Sequence, residues 1–535
     1  VTISKDAAGR RSTGSRTGSR GTRGAAEDRR PRRGASSASA GVSATARQVG
    51  ERLTGWLSRP LTSFHLVVSL LLLLSGLGLT MVLSASSVES YAQDGSAYSV
   101  FTRQVIFVLL GLCLFYVGMR VKVATLRRWS LPAFLGCVAM LVLVLVPGIG
   151  SMSNGARSWF VLGPVSLQPS EVAKIAIAVW GAHLLSIKRG QLHSLRHMLM
   201  PLLPAAAIVL VLIFLQPDLG TSISLAIVVL GLLWFAGAPV KLFLTLLALA
   251  GVVFVVVALT ASYRLERITS FLDPGADPQG AGYQAMQARY SLAGGGLWGV
   301  GLGQSRGKWS YLPEAHNDFI FAILGEELGF VGAAAVLLLF GALAYTGLRI
   351  ARRSIDPFLR LLTATVTLWL VGQAVINIGY VIGLLPVTGL TLPLVSSGGT
   401  STAVTMFVFG LLANAARHEP PAVAALRTQG EGPLGRLLRL PAPEPYRARP
   451  SSRVVRTGEQ ARRARTAHPA PGGARPTAER AGPEGVAADR RTEPLRSAPR
   501  GQSRQPARGP RSRTPEPPRR PGTSRGTDTG RGGRR

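Results

Sequence analysis

FHLVVSLLLLLSGLGLTMVLS, residues 64–84, contains no Asp, Glu, Lys or Arg. About 20 residues of this kind in a helix cross a hydrocarbon core of about 30 Å. The segment before it is long and basic and the run itself is extended, so it reads as an uncleaved anchor rather than a signal peptide. Nine comparable runs follow, at 101–119, 131–146, 171–187, 199–216, 221–237, 242–260, 330–348, 361–382 and 402–416. Only helices and closed barrels span lipid, because each backbone N–H and C=O must be paired internally, and runs this apolar without strict alternation predict helices. The expected fold is an all-α polytopic membrane protein of about ten transmembrane helices.

Composition points the same way. Of 535 residues, 47% are hydrophobic and 16% charged, whereas soluble domains carry about 25% charged residues. A single soluble domain is excluded. The net charge of +34 comes from 60 Lys+Arg against 26 Asp+Glu, with most of the excess in residues 1–60 and 419–535. Both segments are rich in Arg, Gly, Ser, Ala or Pro and lack apolar periodicity. Disordered basic tails are expected there, flanking a membrane domain at 61–418. Their poverty in aromatics argues against nucleic acid and for anionic lipid or acidic proteins as partners. Cys113 and Cys137 fall inside apolar runs and read as small buried hydrophobes, not as a disulfide or metal site.

Basic residues follow the even-numbered runs: Arg120, Lys122, Arg127 and Arg128 after the second, Lys188, Arg189 and Arg196 after the fourth, Lys241 after the sixth. Arg349, Arg352, Arg353 and Arg360 follow the eighth, and Arg417 the tenth. The positive-inside bias therefore puts those ends and both termini in the cytoplasm. The exits at 147–170, 216–220, 261–318 and 383–401 then face outside. Unusual polar residues gather at these exits, whereas a transporter would place them near the midplane. The pattern points to chemistry or binding at the outer membrane–water boundary.

The largest outer loop, 261–318, lies between the seventh and eighth runs and contains DPGADPQGAGYQ (273–284). Structureless loops beyond about 12–15 residues are usually functional or disordered. Asp273-Pro274 and Asp277-Pro278 are turn signals; a carboxyl of ordinary pKa, about 3.9, needs apolar surroundings to act as a base near neutrality. The glycines at 294–303 lack the strand–helix context of a nucleotide loop. In the 147–170 loop, Pro169-Ser170-Glu171 starts a helix, and Glu171 and Lys174 share one of its faces. That pair reads either as self-contained or, for Lys174 together with Arg157, as cations facing an anion. Trp159 suits an interfacial anchor, and Gln216 to Gly220 a tight turn organised by Asp218. One helix from Phe319 to Leu348 would be about 45 Å long, so 319–329 is expected to stand apart from the crossing portion. His316 lacks companions for a metal site. Ser396 and Ser397, in PLVSSGGTS (393–401), bring hydroxyls and glycines to a helix start that either accepts an anion or merely re-enters the membrane edge.

NGARSWFVLGPVSLQPSEVAK (154–174), QPDLGTS (216–222), DPGADPQGAGYQ, LPEAHNDFIFAILGEELG (312–329) and GLLPVTGLTLPLVSSGGTS (383–401) occur in this order. Together they resemble the SEDS family of polytopic peptidoglycan polymerases over roughly residues 60–418. Ala315 and Gly389–Pro393 look like its division branch, FtsW, rather than its elongation branch, RodA. Ser397 stands where the family commonly has Tyr, and Ser158 where a second Arg is frequent. The resemblance implies a glycosyltransferase that polymerises lipid II outside the bacterial cytoplasmic membrane during septal wall synthesis. Asp277 would be the general base, taking the proton of the acceptor sugar 4-hydroxyl as the anomeric carbon inverts. Arg157, Trp159, Glu171, Lys174, Gln216, Asp218, His316, Asp318, Ser396 and Ser397 are the candidates for holding the substrate and its undecaprenyl pyrophosphate. No resident cofactor is implied, and a divalent cation (Mg or Mn) on the pyrophosphate is compatible. The implied partners are a class B penicillin-binding transpeptidase (FtsI), the FtsQ–FtsL–FtsB complex and, for the tails, FtsZ or anionic lipid. Competing classes are a lipid II flippase, whose path would need midplane charges that the runs lack, and a non-catalytic division scaffold.

Overall fold

The computed structural model describes Gly55 and residues 58–446, apart from 154–155, 164, 192–193, 261–280, 310–311 and 313–314. The chain runs through α1 (Thr62–Asp94), α2 (Ser99–Arg120), α3 (Val123–Leu145), three short strands, α4 (Pro169–Ile187), α5 (Leu195–Leu199), α6 (Leu202–Phe214) and α7 (Leu219–Phe235). It continues through α8 (Val240–Thr260), α9 (Ala281–Gly294), α10 (Ile320–Arg353), α11 (Pro357–Val381), α12 (Thr400–Arg417), α13 (Pro420–Gln429) and α14 (Pro433–Leu437). Each of the ten apolar runs lies on a helix. Among the described residues, α1, α2, α3, α4, α10 and α11 are long and apolar enough to cross a membrane; α6 and α7 are apolar but shorter, at 13 and 17 residues.

Local chemistry sets the helix starts. Proline opens α4, α11 and α13, where its missing N–H costs nothing. Asp218 caps α7 by accepting the Thr221 N–H at 3.0 Å, and Asp356 caps α11 by accepting that of Phe358 at 3.0 Å, each satisfying an orphan donor of the first turn. The helices pack as α2 on α12, α10 on α11, α3 on α4, and α11 on α4 and α7. The α2–α12 contact needs glycine: a Cβ on Gly410 would lie 2.4 Å from the Phe115 carbonyl oxygen, and one on Gly118 2.9 Å from that of Phe407. Close backbone approach of this kind drives helix association in lipid.

Three features differ from or refine the sequence reading. Residues 151–167, read as a loop, form a three-stranded antiparallel sheet of β1 (Ser151–Ser153), β2 (Ala156–Leu162) and β3 (Val165–Leu167). The Trp-Phe-Val run in β2 supplies the strand preference, and Met152 pairs with Arg157. The fold remains helical around this small sheet. Next, α10 breaks at Gly329 (φ 66°, ψ −168°), separating the 320–328 segment from the rest as its length requires. The broken ladder is repaired by the segment after α9. Val300 and Gly301 N–H groups donate to the Glu326 and Glu327 carbonyls at 3.0 Å, while Phe330 and Val331 N–H groups donate to those of Gly296 and Leu297 at 2.9 and 3.2 Å. Finally, α13 and α14 fall where a disordered tail is expected. Leu426 and Leu440 are buried and the Tyr116 hydroxyl donates to the Leu438 carbonyl at 3.2 Å, so the packed region extends past 418. Residues 1–54 and 447–535 of the tails lie outside the described residues. Cys137 is buried as expected, but Cys113 lies on the exposed side of α2.

Polar interactions concentrate at the two ends of the bundle. The hairpin end carries the β-sheet, the α9–α10 connection and the 383–399 loop. The opposite, tail end carries α13, α14 and the ion pairs Arg127–Asp356, Arg353–Glu419 and Arg417–Glu431.

Candidate active site at the hairpin end

Membrane burial makes an unpaired polar group expensive, so the partners of each polar residue reveal what holds this end together. The 383–399 loop descends along α1 until Leu394 and Val395 meet Gly78, where a Cβ would approach the Leu394 carbonyl oxygen to 2.1 Å. Its return is fixed from several sides. Gln104 Nε2 on α2 reaches the Ser396 carbonyl at 3.4 Å and Thr402 at 3.3 Å. Ser396 accepts the Leu392 N–H at 2.8 Å through its hydroxyl oxygen, and the Ser397 N–H donates to the His316 carbonyl at 3.0 Å. The His316 ring lies 3.2 Å from Glu89 at the top of α1. The Asp318 carbonyl accepts from both Asn377 and Tyr380 of α11 at 2.9 Å, and the same two side chains bond the Leu390 carbonyl at 2.6 and 2.7 Å. His316, Asp318, Ser396 and Ser397 are thus brought into one network joining α1, α2, α11 and α12.

A second group sits around the start of α4. Lys174 is wholly enclosed, its ammonium donating to Glu171 at 2.7 Å and lying 4.9 Å from the Trp369 ring centre. Of the two readings left open by the residues, this geometry shows the ion pair. Asp218 accepts from Gln168 Nε2 at 2.9 Å as well as capping α7, which ties the start of α4 to that of α7. Gln216 is buried and reaches the Leu141 carbonyl at 3.5 Å. Arg157 and Trp159 lie on β2, half-buried, with the Trp159 carbonyl accepting the Ser151 hydroxyl at 3.0 Å. Arg157 has no ion pair among the described residues. Like Arg103, Arg289 and Arg306 at the same end, which also have no ion pair among the described residues, it can meet an external anion. Asp273 and Asp277 lie outside the described residues.

Beneath the sheet, α2, α3, α4 and α12 enclose a cavity of about 420 Å³. Its walls are almost entirely apolar, from Leu126, Trp129 and Cys137 up through Ile175, Val179 and Phe407 to Ser166, Leu167 and Thr400. The Thr400 hydroxyl donates to the Ser166 carbonyl at 2.5 Å, so the upper rim joins β3 to the start of α12. Among the described residues no cluster of His, Cys, Asp and Glu large enough to hold a metal ion occurs.

Sequence reasoning overlooked Gln104, Asn377, Tyr380 and Ser84. Ser84 donates to the Glu327 carboxylate, 2.6 and 2.7 Å from its two oxygens, and accepts the Gly303 N–H at 3.1 Å. Glu326 accepts the Ser305 hydroxyl at 2.6 Å and the Arg306 N–H at 2.9 Å. The available signal was the amides within apolar runs, Gln104 in the second and Gln373 and Asn377 in the ninth, since an amide in lipid requires a partner.

These features define a polytopic helical membrane protein with a rigid polar site above a lateral apolar cavity. Residues 64–420 match the FtsW/RodA/SpoVE model, described as a cell cycle protein, and the chain belongs to that family. It is 56% identical over 437 residues to the probable peptidoglycan glycosyltransferase FtsW of Mycobacterium tuberculosis, covering 82% of this chain and 83% of the relative. It is 42% identical over 355 residues to the stage V sporulation protein E of Bacillus subtilis, covering 66% and 96%. Among solved structures, a chain of a peptidoglycan synthase complex that coordinates polymerization and crosslinking superposes with a TM-score of 0.56 at 30% identity, covering 66% of this chain and 97% of that one. An Asp-to-Ala variant of the Thermus thermophilus rod shape determining protein RodA superposes at 0.50 with 27% identity, covering 68% and 99%.

Proposed function

We propose that this chain is a peptidoglycan glycosyltransferase that polymerises lipid II at the outer face of the cytoplasmic membrane during septal wall synthesis. The observation that carries the reading is the apolar cavity of about 420 Å³ ending under a polar, hydrogen-bonded rim. A prenyl chain fits such walls, and its pyrophosphate-linked sugars then lie at the height of the β-sheet and the His316–Ser397 network. The ten runs cross the membrane with both termini inside, so the hairpin end is the outer end. Arg157 offsets charge on the departing pyrophosphate, as a positioned cation does where negative charge develops. Glu171 and Lys174 hold the start of α4, and with it Gln168 and Asp218, in place for Trp159 and the substrate. Gln216, His316, Asp318, Ser396 and Ser397 shape the walls for the acceptor.

Asp277 takes the proton from the acceptor 4-hydroxyl, whose oxygen bonds to the donor anomeric carbon as the bond to pyrophosphate breaks. A divalent cation (Mg or Mn) bound with the pyrophosphate would add to the charge compensation that Arg157 supplies. A class B penicillin-binding transpeptidase crosslinks the product, with FtsQ–FtsL–FtsB joining the assembly. The test is polymerisation of labelled lipid II by the purified full chain, with and without the transpeptidase, comparing wild type with Asp277→Asn. Glycan strands are expected from wild type and none from a folded Asp277→Asn. Full activity in that variant would overturn the assignment of the base, and lipid translocation without polymer would replace the reaction with flipping.

A further inference from the structure

The tail end holds a larger cavity, of about 750 Å³, among the ends of α2, α3, α11, α12 and α13 and the 441–446 segment. Five cationic side chains line it, Arg120, Lys122, Arg127, Arg417 and Arg427, against two carboxylates, Asp356 and Glu444. Asp356 is engaged by Arg127, and Arg417 by Glu431. Arg120, Lys122 and Arg427 are exposed and have no ion pair among the described residues. Arg120 is aimed by a 2.6 Å bond to the Tyr116 hydroxyl. The buried Arg127 Nε has no hydrogen-bond partner among the described residues, although buried donors are normally satisfied.

We propose that this cavity binds the phosphate-bearing headgroup of an anionic phospholipid from the adjoining leaflet. Position argues for it: Arg120 and Arg417 close α2 and α12, and Arg127 lies near the start of α3, the depth at which headgroups meet helix ends. Guanidinium groups match phosphate oxygens in geometry as well as charge, and basic pockets between helices on the inner side of a membrane hold such headgroups. The floor and walls are not all polar. Met119 and Leu359 are buried beneath the cations, and Val123 is half-buried beside them, which suits the glyceride portion. A soluble phosphate shares the anion but not the need for that apolar surface. The proposal is independent of Asp277 and of the polymerase reading.

The experiment uses the purified full chain in nanodiscs of phosphatidylcholine, to which cardiolipin, phosphatidylglycerol or inorganic phosphate is added. Lipid retention is read by native mass spectrometry and stability by the unfolding midpoint. The variant is Arg120→Gln/Lys122→Gln/Arg427→Gln, which leaves every described ion pair intact. Each lost cation is expected to weaken binding about fivefold, so the triple variant should bind anionic lipid about a hundredfold more weakly and lose the midpoint rise given by cardiolipin. Should its midpoint without anionic lipid fall, the single Arg427→Gln with its fivefold loss decides the matter. Unchanged retention in the variants, equal retention of phosphatidylcholine, or an equal midpoint rise with inorganic phosphate would each overturn the proposal.

Discussion

Replacing Glu171 by Gln should destabilise the fold far more than an ordinary polar substitution. Lys174 is fully enclosed, and among the described residues its charge meets the Glu171 carboxylate at 2.7 Å and the face of Trp369 at 4.9 Å. Removing one member of a buried pair strands the other charge, at a cost of about 3–5 kcal/mol. A desolvated cation–π contact returns about 2 kcal/mol, too little to compensate. Lys174→Met strands the almost fully buried Glu171 carboxylate and should cost a similar amount. The double variant Glu171→Gln/Lys174→Met removes both charges, and such replacements are often neutral or stabilising. Unfolding rates measured at one temperature suit a membrane protein whose denaturation is irreversible. The double variant should unfold at close to the wild-type rate while each single variant unfolds much faster. If the two destabilisations simply added, to within about 0.5 kcal/mol, the charges would not be coupled and the argument would fail. Lipid II polymerisation by the double variant gives a separate answer. Activity restored with stability makes the pair purely structural, whereas a stable but slow enzyme makes Lys174 part of the site.

Ser84→Ala should release the segment at 299–308, because the Glu327 carboxylate and the Gly303 N–H lose their shared partner. Hydrogen bonds to a charged group contribute about 1.5–3 kcal/mol, so exchange of the Gly303 amide should accelerate at least about tenfold, and an unchanged rate would remove Ser84 from this role. At the tail end, desolvation holds the His418 pKa below its ordinary 6.5, so the unfolded chain binds the proton more readily. Its contribution to stability is full above 6.5 and is lost as pH falls through the folded value. Glu419 is shifted the other way, upward from 4.5 by burial, so its contribution is full below 4.5 and is lost as pH rises through the folded value. The unfolding midpoint should therefore drop below pH 6.5 in wild type but less steeply in His418→Gln, and identical pH profiles would exclude His418 as the cause.

The helices were legible because lipid leaves the backbone few choices: a run such as 64–84 has no stable form there except a helix or a barrel strand. The length argument at 319–348 also carried over into the break at Gly329. What escaped was set by contacts distant in sequence. Nothing near 154–167 announces that the Trp159 carbonyl will accept the Ser151 hydroxyl, because strand preference depends on what packs beside it. The helices at 420–437 were hidden by composition: Pro420, Pro421, Gly430, Gly432 and Pro433 punctuate the stretch, and Leu426 and Leu440 are buried because the bundle presents a surface to them. Lys174 was found by spacing, but its enclosure under Trp369, about 200 residues later in the chain, could not be read from the neighbouring sequence.

One physical asymmetry links these elements to the chemistry proposed. In lipid the backbone of a non-helical segment is tolerated only where protein satisfies it. The 383–399 loop meets that condition through Gln104, Asn377, Tyr380 and Gln373, the last donating to the Thr391 carbonyl at 2.9 Å. The same bonds that let an irregular loop enter the bundle also immobilise Ser396, Ser397 and the backbone at His316 and Asp318. A surface loop could hold these groups only with the freedom that water allows. Here their positions are enforced by the cost of leaving any of them unpaired, and a site acting on a lipid-linked sugar gains the preorganisation on which positioning catalysis depends. The cavity under Thr400 needs no comparable network, since aliphatic walls packed against a prenyl chain leave no polar group to satisfy. Tight hydrogen bonding above and unpartnered apolar walls below are therefore complementary requirements of one substrate with a polar head and a hydrocarbon tail.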